Sequence, residues 1–440
     1  MSVENRRRAL LTLFVVVFVD LLGFGILIPV IPLYAEAYGA SEFVGSLLIA
    51  SYSGMQFLAA PLLGRISDRR GRRPVLLLSL TGSVLAWTLF GAAPRLAVGA
   101  VPVLAVLFLS RLLAGAMGGN IAAAQAYIAD VTPPEDRAKG LGLLGAAFGL
   151  GFVFGPAIGG LVSSPPVVAI VGRLAPTVVP VSKFTLPSFA AALITATNLV
   201  AAVAFLPESR RRDRESTVVP DRRGRVAVLV DALRTPVLGA LVVAFFTASF
   251  AFSALESQFV FFTNDLFGYG PAANAYLLAY LGVVIAVVQG RLVGPLVARF
   301  GEYRLAVAGA AIQVVTLAAV PVAPTLGWLV PPVGPVSASL PVVPAGVLVL
   351  LANLTVLATG NALTNVSLNA LVSTSVDENT QGGAFGLTQS AGSLARTVGP
   401  TTAGALYTGV GYWLPFLVGG LAFLPVLATL GRVRDRLDTG

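Results

Sequence analysis

Residues 64–74 read GRISDRRGRRP and stand between two long apolar runs. Five of the nine residues from Arg65 to Arg73 are arginines, and a guanidinium group is costly to place in hydrocarbon. The stretch therefore predicts a short loop in water between two membrane-spanning helices. Because short loops rich in Lys and Arg stay on the cytoplasmic side, we expect this loop to lie there.

The composition is typical of a protein that is solvated mostly by lipid. Hydrophobic residues make up 56% of the 440 residues and charged residues 11%, with a mean hydropathy of +0.87. The net charge of +9 resides in the gaps between apolar runs, which indicates topology signals and not a nucleic-acid-binding face. The chain has neither Cys nor His, which argues against thiol chemistry, disulfides and histidine proton relays. A proton carrier must then be a carboxylate, and no metal or cofactor is expected.

Twelve membrane spans are predicted, because a hydrocarbon core of ~30 Å needs about 20 apolar residues per helix. Span 1 contains Asp20 and is longer than the core of a signal peptide, so we expect it to remain as an uncleaved helix. Spans 1 to 6 lie at about 9–33, 43–64, 74–94, 101–129, 139–163 and 188–206. Spans 7 to 12 lie at about 236–263, 272–298, 303–322, 343–371, 381–408 and 411–431.

The positive charges give the orientation of these spans. Of the 29 Lys and Arg, most fall at the two termini and in the even-numbered loops, so both termini are predicted to be cytoplasmic in a plasma (inner) membrane protein. Residues 207–235 form the longest polar stretch and predict a basic cytoplasmic linker between two helical domains, 1–206 and 236–440. Contact of this linker with anionic lipid is the alternative.

The two predicted domains repeat one another. Two sets of residues recur in the second half: Gly64, Arg69 and Gly71 as Gly294, Arg299 and Gly301, and Gly142, Gly155, Pro156 and Gly160 as Gly386, Gly399, Pro400 and Gly404. The repeat predicts an all-α membrane protein of two six-helix pseudo-symmetric bundles, a design that usually has its substrate site near the bilayer midplane. Two Pro-rich external loops, 163–187 and 321–344, are predicted to be extended covers.

The basic loop resembles that of the major facilitator superfamily, and specifically its twelve-helix drug:proton antiporters, the branch of tetracycline and multidrug efflux proteins. The matching positions are Gly64, Asp68, Arg69, Gly71, Arg72 and Arg73. The resemblance implies a cytoplasmic gate, in which Asp68 meets the start of span 11 near Gln381 and Arg72 pairs with Asp130. The alternative is that these residues are only topology charges.

Span 5 carries the glycine pattern associated with antiporters in this superfamily. Its members are Gly142, Gly151, Gly155, Pro156, Gly159 and Gly160. Glycines at these spacings let a neighbouring helix approach closely, and proline bends the helix. Close packing alone would explain the pattern, so the implied export direction rests on the resemblance.

Charged residues within the spans are the candidates for proton coupling. Asp20 lies about 18 Å along span 1 from Arg8, and Arg111 lies about 14 Å from the external end of span 4, at 1.5 Å per residue. Such groups are costly alone in a membrane, so the two are predicted to be neighbours. We expect Asp20 to carry the proton, and Arg111 to tune the pKa of Asp20 or to compete with the proton for its carboxylate; a permanent ion pair is the alternative. Glu256 in span 7 is a candidate site for a cationic substrate or a second proton, with Arg396 as its counter-charge; an interfacial acid that faces water is the alternative.

Polar residues within the spans predict a substrate cavity. The candidates are Phe24, Gln56, Asn120, Gln125, Asn361, Asn365, Gln389 and Arg396. Asn361 and Asn365 share one helix face at a spacing of four residues. This amide stripe either lines a cavity or bonds to neighbouring helices.

Together these features predict a secondary transporter that exports small amphipathic drugs or metabolites in exchange for protons by alternating access. It is expected to be a monomer and not an enzyme, and its partners are the substrate, protons and lipid. ATP is excluded as a partner because no Gly-x4-Gly-Lys-Ser/Thr motif is present. A proton symporter or facilitator for a sugar or organic acid is the first alternative, and a non-transporting membrane sensor the second. Tetracycline specificity is not expected, because the histidine of span 8 found in the familiar tetracycline exporters is missing.

Overall fold

The computed structural model describes residues 3–96, 100–118, 120–132, 137–209, 236–329, 344–375 and 381–432. Every regular element in these ranges is helical. The first nine helices are α1 (Val3–Leu27), α2 (Ile31–Glu36), α3 (Glu42–Arg70), α4 (Arg72–Leu96), α5 (Ala100–Met117), α6 (Asn120–Val131), α7 (Arg137–Val162), α8 (Pro165–Leu174) and α9 (Thr185–Phe205).

The second series begins after the linker, whose residues 210–235 lie outside the described ranges. It comprises α10 (Pro236–Phe267), α11 (Pro271–Val287), a π turn (Val288–Leu292), α12 (Val293–Phe300), α13 (Glu302–Ala319), a 3-10 helix (Ala323–Leu329), α14 (Ala345–Thr374), α15 (Gln381–Gly409), α16 (Leu414–Leu421) and α17 (Phe423–Arg432).

All twelve predicted spans coincide with helical segments, some of them broken. Within the described residues, nine helices are long and apolar enough to cross a membrane, and a tenth candidate is the bent pair of α7 and α8. Span 4 consists of α5 and α6 on either side of residue 119, which lies outside the described ranges.

The prediction that residues 64–74 form a loop is wrong for most of their length. Helix α3 continues to Arg70 and α4 begins at Arg72, so only Gly71 breaks the helix. Gly71 has a φ of 104°, a backbone conformation that side-chain-bearing residues rarely adopt. The arginines are therefore carried on helix ends that extend beyond the apolar segments.

The prediction that the two Pro-rich loops are extended covers is also wrong in part. Residues Pro165–Leu174 form α8, because Pro at the first helical position is already set in a helical φ and has no N–H to satisfy. In the other loop, Ala323–Leu329 form a 3-10 helix. Residues 330–343, with most of its prolines, lie outside the described ranges.

The chain divides into two compact units by its contacts. The first unit contains Met1–Pro220 and Thr263–Gly282, and the second contains Asp221–Phe262 and Val283–Gly440. Residues of α11 cluster with the first unit because they meet α7: a Cβ on Gly282 would lie 3.0 Å from Val153, and a Cβ on Gly160 would lie 2.9 Å from Ala275.

Two apolar clusters fill the first unit. One surrounds Leu13, Leu76 and Tyr127, and the other surrounds Ile26 and Phe90. Along α1, Asp20 lies between Val17 and Leu21 of the first cluster, and Ile26 of the second cluster follows within two turns. The charged residue of span 1 therefore lies near the end of the first cluster, on the side of the second.

Candidate functional site

The crossing of α1 and α7 positions Asp20. A Cβ added to Gly155 would lie 2.6 Å from the Cα of Gly25, and one added to Gly159 would lie 2.4 Å from the carbonyl oxygen of Ile26. These distances are shorter than any real Cβ contact, so the two backbones touch only because both helices carry glycine here. This contact holds α1 against α7 at a point one to two turns after Asp20.

The other members of the glycine pattern are divided between two neighbours. A Cβ on Gly151 would meet Leu21 of α1 at 2.8 Å, and the ring of Pro156 lies against Gly25. Gly160 instead faces Ala275 of α11. Gly142 lies in α7, but its contacts are not among those that the structure describes.

Asp20 lies in the wall of a small, partly open cavity. Its side chain is half-buried. The other lining residues are Leu21, Phe24, Tyr52, Ser83, Trp87, Ala114, Gly118 and Ile121. The cavity lining thus combines one carboxylate with three aromatic rings and two hydroxyls, those of Tyr52 and Ser83, a composition suited to an amphipathic organic ligand.

Arg111 is surrounded by the same three rings. Its guanidinium carbon lies 4.7 Å from the ring centroid of Tyr52, 5.7 Å from that of Phe24 and 5.8 Å from that of Trp87. The side chain is 1% exposed. Aromatic faces attract a cation by cation–π interaction, most strongly where water is excluded. Asp20 and Arg111 therefore belong to one group of residues arranged about Phe24, Tyr52 and Trp87.

Close packing of α5 on α3 places Arg111 in this group. A Cβ on Gly115 would lie 2.2 Å from the carbonyl oxygen of Tyr52, so α5 needs a glycine one turn beyond Arg111. The amide of Gln56 donates to the carbonyl of Gly118 at 2.8 Å, which ties the same two helices together. Among the other cavity candidates of this unit, Gln125 is half-buried, and the side chain of Asn120 is not among those described.

The second unit contains the other charged candidates. Glu256 in α10 and Arg396 in α15 are both half-buried. Their helices touch, because a Cβ on Gly392 would lie 3.1 Å from Ser249 and one on Gly399 would lie 3.0 Å from the carbonyl oxygen of Phe250. The guanidinium of Arg396 donates to Ser393 at 3.2 Å.

The amide stripe of span 10 is bonded along its own helix. The side-chain amide of Asn365 donates to the carbonyl of Asn361 at 3.0 Å and to its side-chain oxygen at 3.1 Å. Asn361 is buried in α14, and Gln389 is exposed on α15. Asn361 and Asn365 thus satisfy part of their hydrogen-bonding capacity locally, and their role in a cavity stays a prediction.

Arg72 bridges two carboxylates at the start of α4. Its Nη1 lies 2.5 Å from Oδ1 of Asp68, and its Nε lies 3.0 Å from Oδ2 of Asp130. The pairing with Asp130 is the one that the sequence predicts. The pairing with Asp68 was not expected. Together the two ion pairs join the last turn of α3 to the end of α6 through the guanidinium of Arg72.

Glu208 is a member of this group that the sequence analysis missed. Its carboxylate accepts the backbone N–H of Arg72 at 2.9 Å and of Arg73 at 3.2 Å. A carboxylate at a helix N-terminus satisfies unpaired N–H groups and opposes the positive end of the helix dipole. The next residue, Ser209, donates to Asp130 at 3.2 Å. We call Asp68, Arg72, Asp130, Glu208 and Ser209 the basic-end cluster.

We expect Glu208→Gln to lower the thermal stability of the purified protein. The variant keeps the side-chain shape but loses the charge that caps α4, and loss of such a cap costs about 1 kcal/mol. Thermal unfolding in detergent, followed by circular dichroism, measures the change. An unchanged unfolding temperature would show that the charge of Glu208 contributes nothing to stability.

Glu36→Gln provides the matched control because it also removes one carboxylate. Burial, with smaller contributions from Asp265 and Glu42, raises the pKa of Glu36. A raised pKa means that the folded state disfavours the ionised form, so ionisation near neutral pH destabilises the protein at this position. Glu36→Gln should therefore leave the unfolding temperature unchanged or raise it.

The chain is similar in sequence to known proteins over most of its length. The sequence model described as "Major Facilitator Superfamily" matches residues 13–343. Tetracycline resistance protein, class C, from Escherichia coli is 31% identical over 431 residues, which cover 96% of each chain. Tetracycline resistance protein, class G, from Vibrio anguillarum is 32% identical over 425 residues, which cover 95% of each.

A solved structure agrees with these relatives. The crystal structure of the human organic anion transporter MFSD10 (TETRAN) matches with a TM-score of 0.63 and 25% sequence identity. The match covers 97% of this chain and 99% of the human one. Similarity in sequence and in structure thus extends over nearly the full length.

Proposed function

The chain belongs to the Major Facilitator Superfamily, and on this basis we propose that it is a proton-coupled transporter that exports a small amphipathic compound. Its fold is the major facilitator fold, and the protein is a membrane transporter. The observation that carries the finer proposal is the cavity in which the Asp20 carboxylate shares three aromatic rings with Arg111.

Asp20 is the group that takes up and releases the proton. A carboxylate in a cavity wall loses part of its hydration, so its charge must be balanced by a proton, by a nearby cation or by the substrate. Arg111 supplies a fixed positive charge in the same region. Binding of the proton and of the substrate then compete at one place, which is the requirement for exchange.

The substrate class follows from the cavity lining. Phe24, Tyr52 and Trp87 offer ring faces, and Ser83 and Asp20 offer hydrogen-bonding groups. A compound with an aromatic or other flat apolar part and one polar group fits this chemistry. The names of the relatives indicate tetracycline resistance, and tetracycline therefore belongs in any panel of test compounds.

The basic-end cluster acts as the cytoplasmic gate in this proposal. Both termini face the cytoplasm, because the arginine-rich helix ends follow the positive-inside rule. The protein works as a monomer in the plasma membrane, with protons, the exported compound and lipid as its partners. No ATP or nucleic acid takes part.

Inverted membrane vesicles with an acidic interior test the proposal. Addition of tetracycline or of other aromatic amphipathic compounds to vesicles that contain the protein should release protons from the interior. Vesicles prepared without the protein provide the background. If substrate added outside intact cells instead enters together with protons, the protein is a symporter. If no compound moves protons in either direction, proton coupling is wrong.

A further inference from the structure

Helix α8 is the element that the proposed function leaves unexplained. It follows α7 after two residues and makes an angle of 63° with the preceding helix. Its 10 residues extend about 15 Å at 1.5 Å per residue, whereas a membrane span must cross a core of ~30 Å. The helix is therefore too short to form a second crossing and is strongly inclined to α7.

The side chains of α8 divide into three groups around its axis. Val167, Val168 and Val171 are half-buried. Ile170 and Leu174, four residues apart, are 57% and 79% exposed. Because 3.6 residues make one turn, Ile170 and Leu174 lie together on one flank, beside the half-buried valines.

The opposite flank of α8 carries small residues. Ala169 and Gly172 are both exposed, and Arg173 is exposed between the small flank and the apolar flank. Segments that lie in the plane of a membrane interface combine an apolar face with a charged or polar one, and Arg173 is the charged residue of α8.

We propose that α8 is an interfacial helix whose flank of Ile170 and Leu174 is covered by the lipid bilayer. Only two residues separate helix α8 from the end of α7, so α8 starts at the level where span 5 leaves the hydrocarbon core. A leucine as open as Leu174 is unfavourable in water but not among acyl chains. Arg173 can place its guanidinium at the level of the lipid headgroups while its aliphatic stem remains in the apolar layer.

Site-directed spin labelling in phospholipid vesicles tests this assignment. The chain has no cysteine, so single-cysteine variants need no background substitutions. Ile170→Cys and Leu174→Cys place a nitroxide on the apolar flank, and Ala169→Cys and Gly172→Cys place it on the small flank as matched controls. All four positions are exposed, so each label should be accommodated without disturbing the packing of the unit.

The measurement is the collision rate of each nitroxide with oxygen, which concentrates in lipid, and with a water-soluble nickel complex. The ratio of oxygen to nickel collisions should be several-fold higher at positions 170 and 174 than at 169 and 172. Equal ratios on the two flanks, or a higher nickel rate at 170 and 174, would place α8 in water and overturn the proposal. Protection of 170 and 174 from both reagents would indicate a second protein chain in place of lipid and would overturn it as well.

Discussion

Substrate-dependent proton release should disappear in Asp20→Asn. The substitution keeps the shape of the side chain, but an amide cannot take up or release a proton at physiological pH. With no histidine in the chain, few groups within the spans can replace it. Proton release from acidic inverted vesicles is therefore expected to fall to the level of vesicles that lack the protein.

Substrate exchange without a pH gradient should survive in Asp20→Asn. Counterflow of a labelled compound against the unlabelled compound requires binding and conformational change but no net proton movement. Loss of proton release with retained counterflow would assign the coupling to Asp20. Loss of both would show that Asp20 is needed for binding or folding, and monodisperse gel filtration distinguishes these two cases.

Glu256→Gln is the matched control, because it neutralises the other half-buried acid considered for coupling. Proton release should persist in this variant if Asp20 is the main carrier. The reverse result, in which release survives Asp20→Asn and disappears in Glu256→Gln, would contradict the assignment and move the proton site to the second unit.

The second large effect is expected for Gly155→Val, which should prevent recovery of folded protein. The new Cβ would lie 2.6 Å from the Cα of Gly25 and 2.8 Å from its carbonyl carbon. Both are backbone atoms, which cannot rotate away as a side chain can. Overpacking of a core costs on the order of 1–3 kcal/mol, and separation of α1 from α7 along their length would add to this.

Gly149→Val tests whether the loss is due to the contact or to valine in a helix. Gly149 lies in the same helix, and a Cβ there would meet nothing within 4 Å. Yield of monodisperse protein and its unfolding temperature should therefore remain close to the wild type for Gly149→Val and fall sharply for Gly155→Val. Equal losses for the two variants would mean that the contact at Gly155 is not tight in solution.

Much of the architecture was predictable, because the length and apolar character of a membrane span are dictated by the bilayer. The ends of the spans were less predictable. Hydropathy detects where polarity begins, but a helix can continue into water, as α3 does to Arg70. Helix α8 had a usable signal in Pro165 and Pro166, because proline favours the first turn of a helix. That signal was outweighed by the usual association of proline with irregular loops.

The candidate site was predictable in part for a related reason. Residue counts give the depth of Asp20 and Arg111 in the membrane, but they do not give the rotation of each helix about its axis. Tyr52 and Trp87, which complete the ring of aromatic residues around Arg111, were therefore not among the predicted cavity residues. Glu208 was missed because it was grouped with the charges of the linker, and nothing in the local sequence indicates that it caps a helix 136 residues earlier.

The position of Trp87 has a spectroscopic consequence. The chain has three tryptophans, of which Trp87 lines the Asp20 cavity, whereas Trp328 and Trp413 are 78% and 43% exposed. Exchange of the two exposed tryptophans for phenylalanine would leave a single indole beside the guanidinium of Arg111. Its emission wavelength and its quenching would then respond to whatever fills the cavity, so the protein contains an intrinsic fluorescent reporter of occupancy at the group proposed to carry the proton.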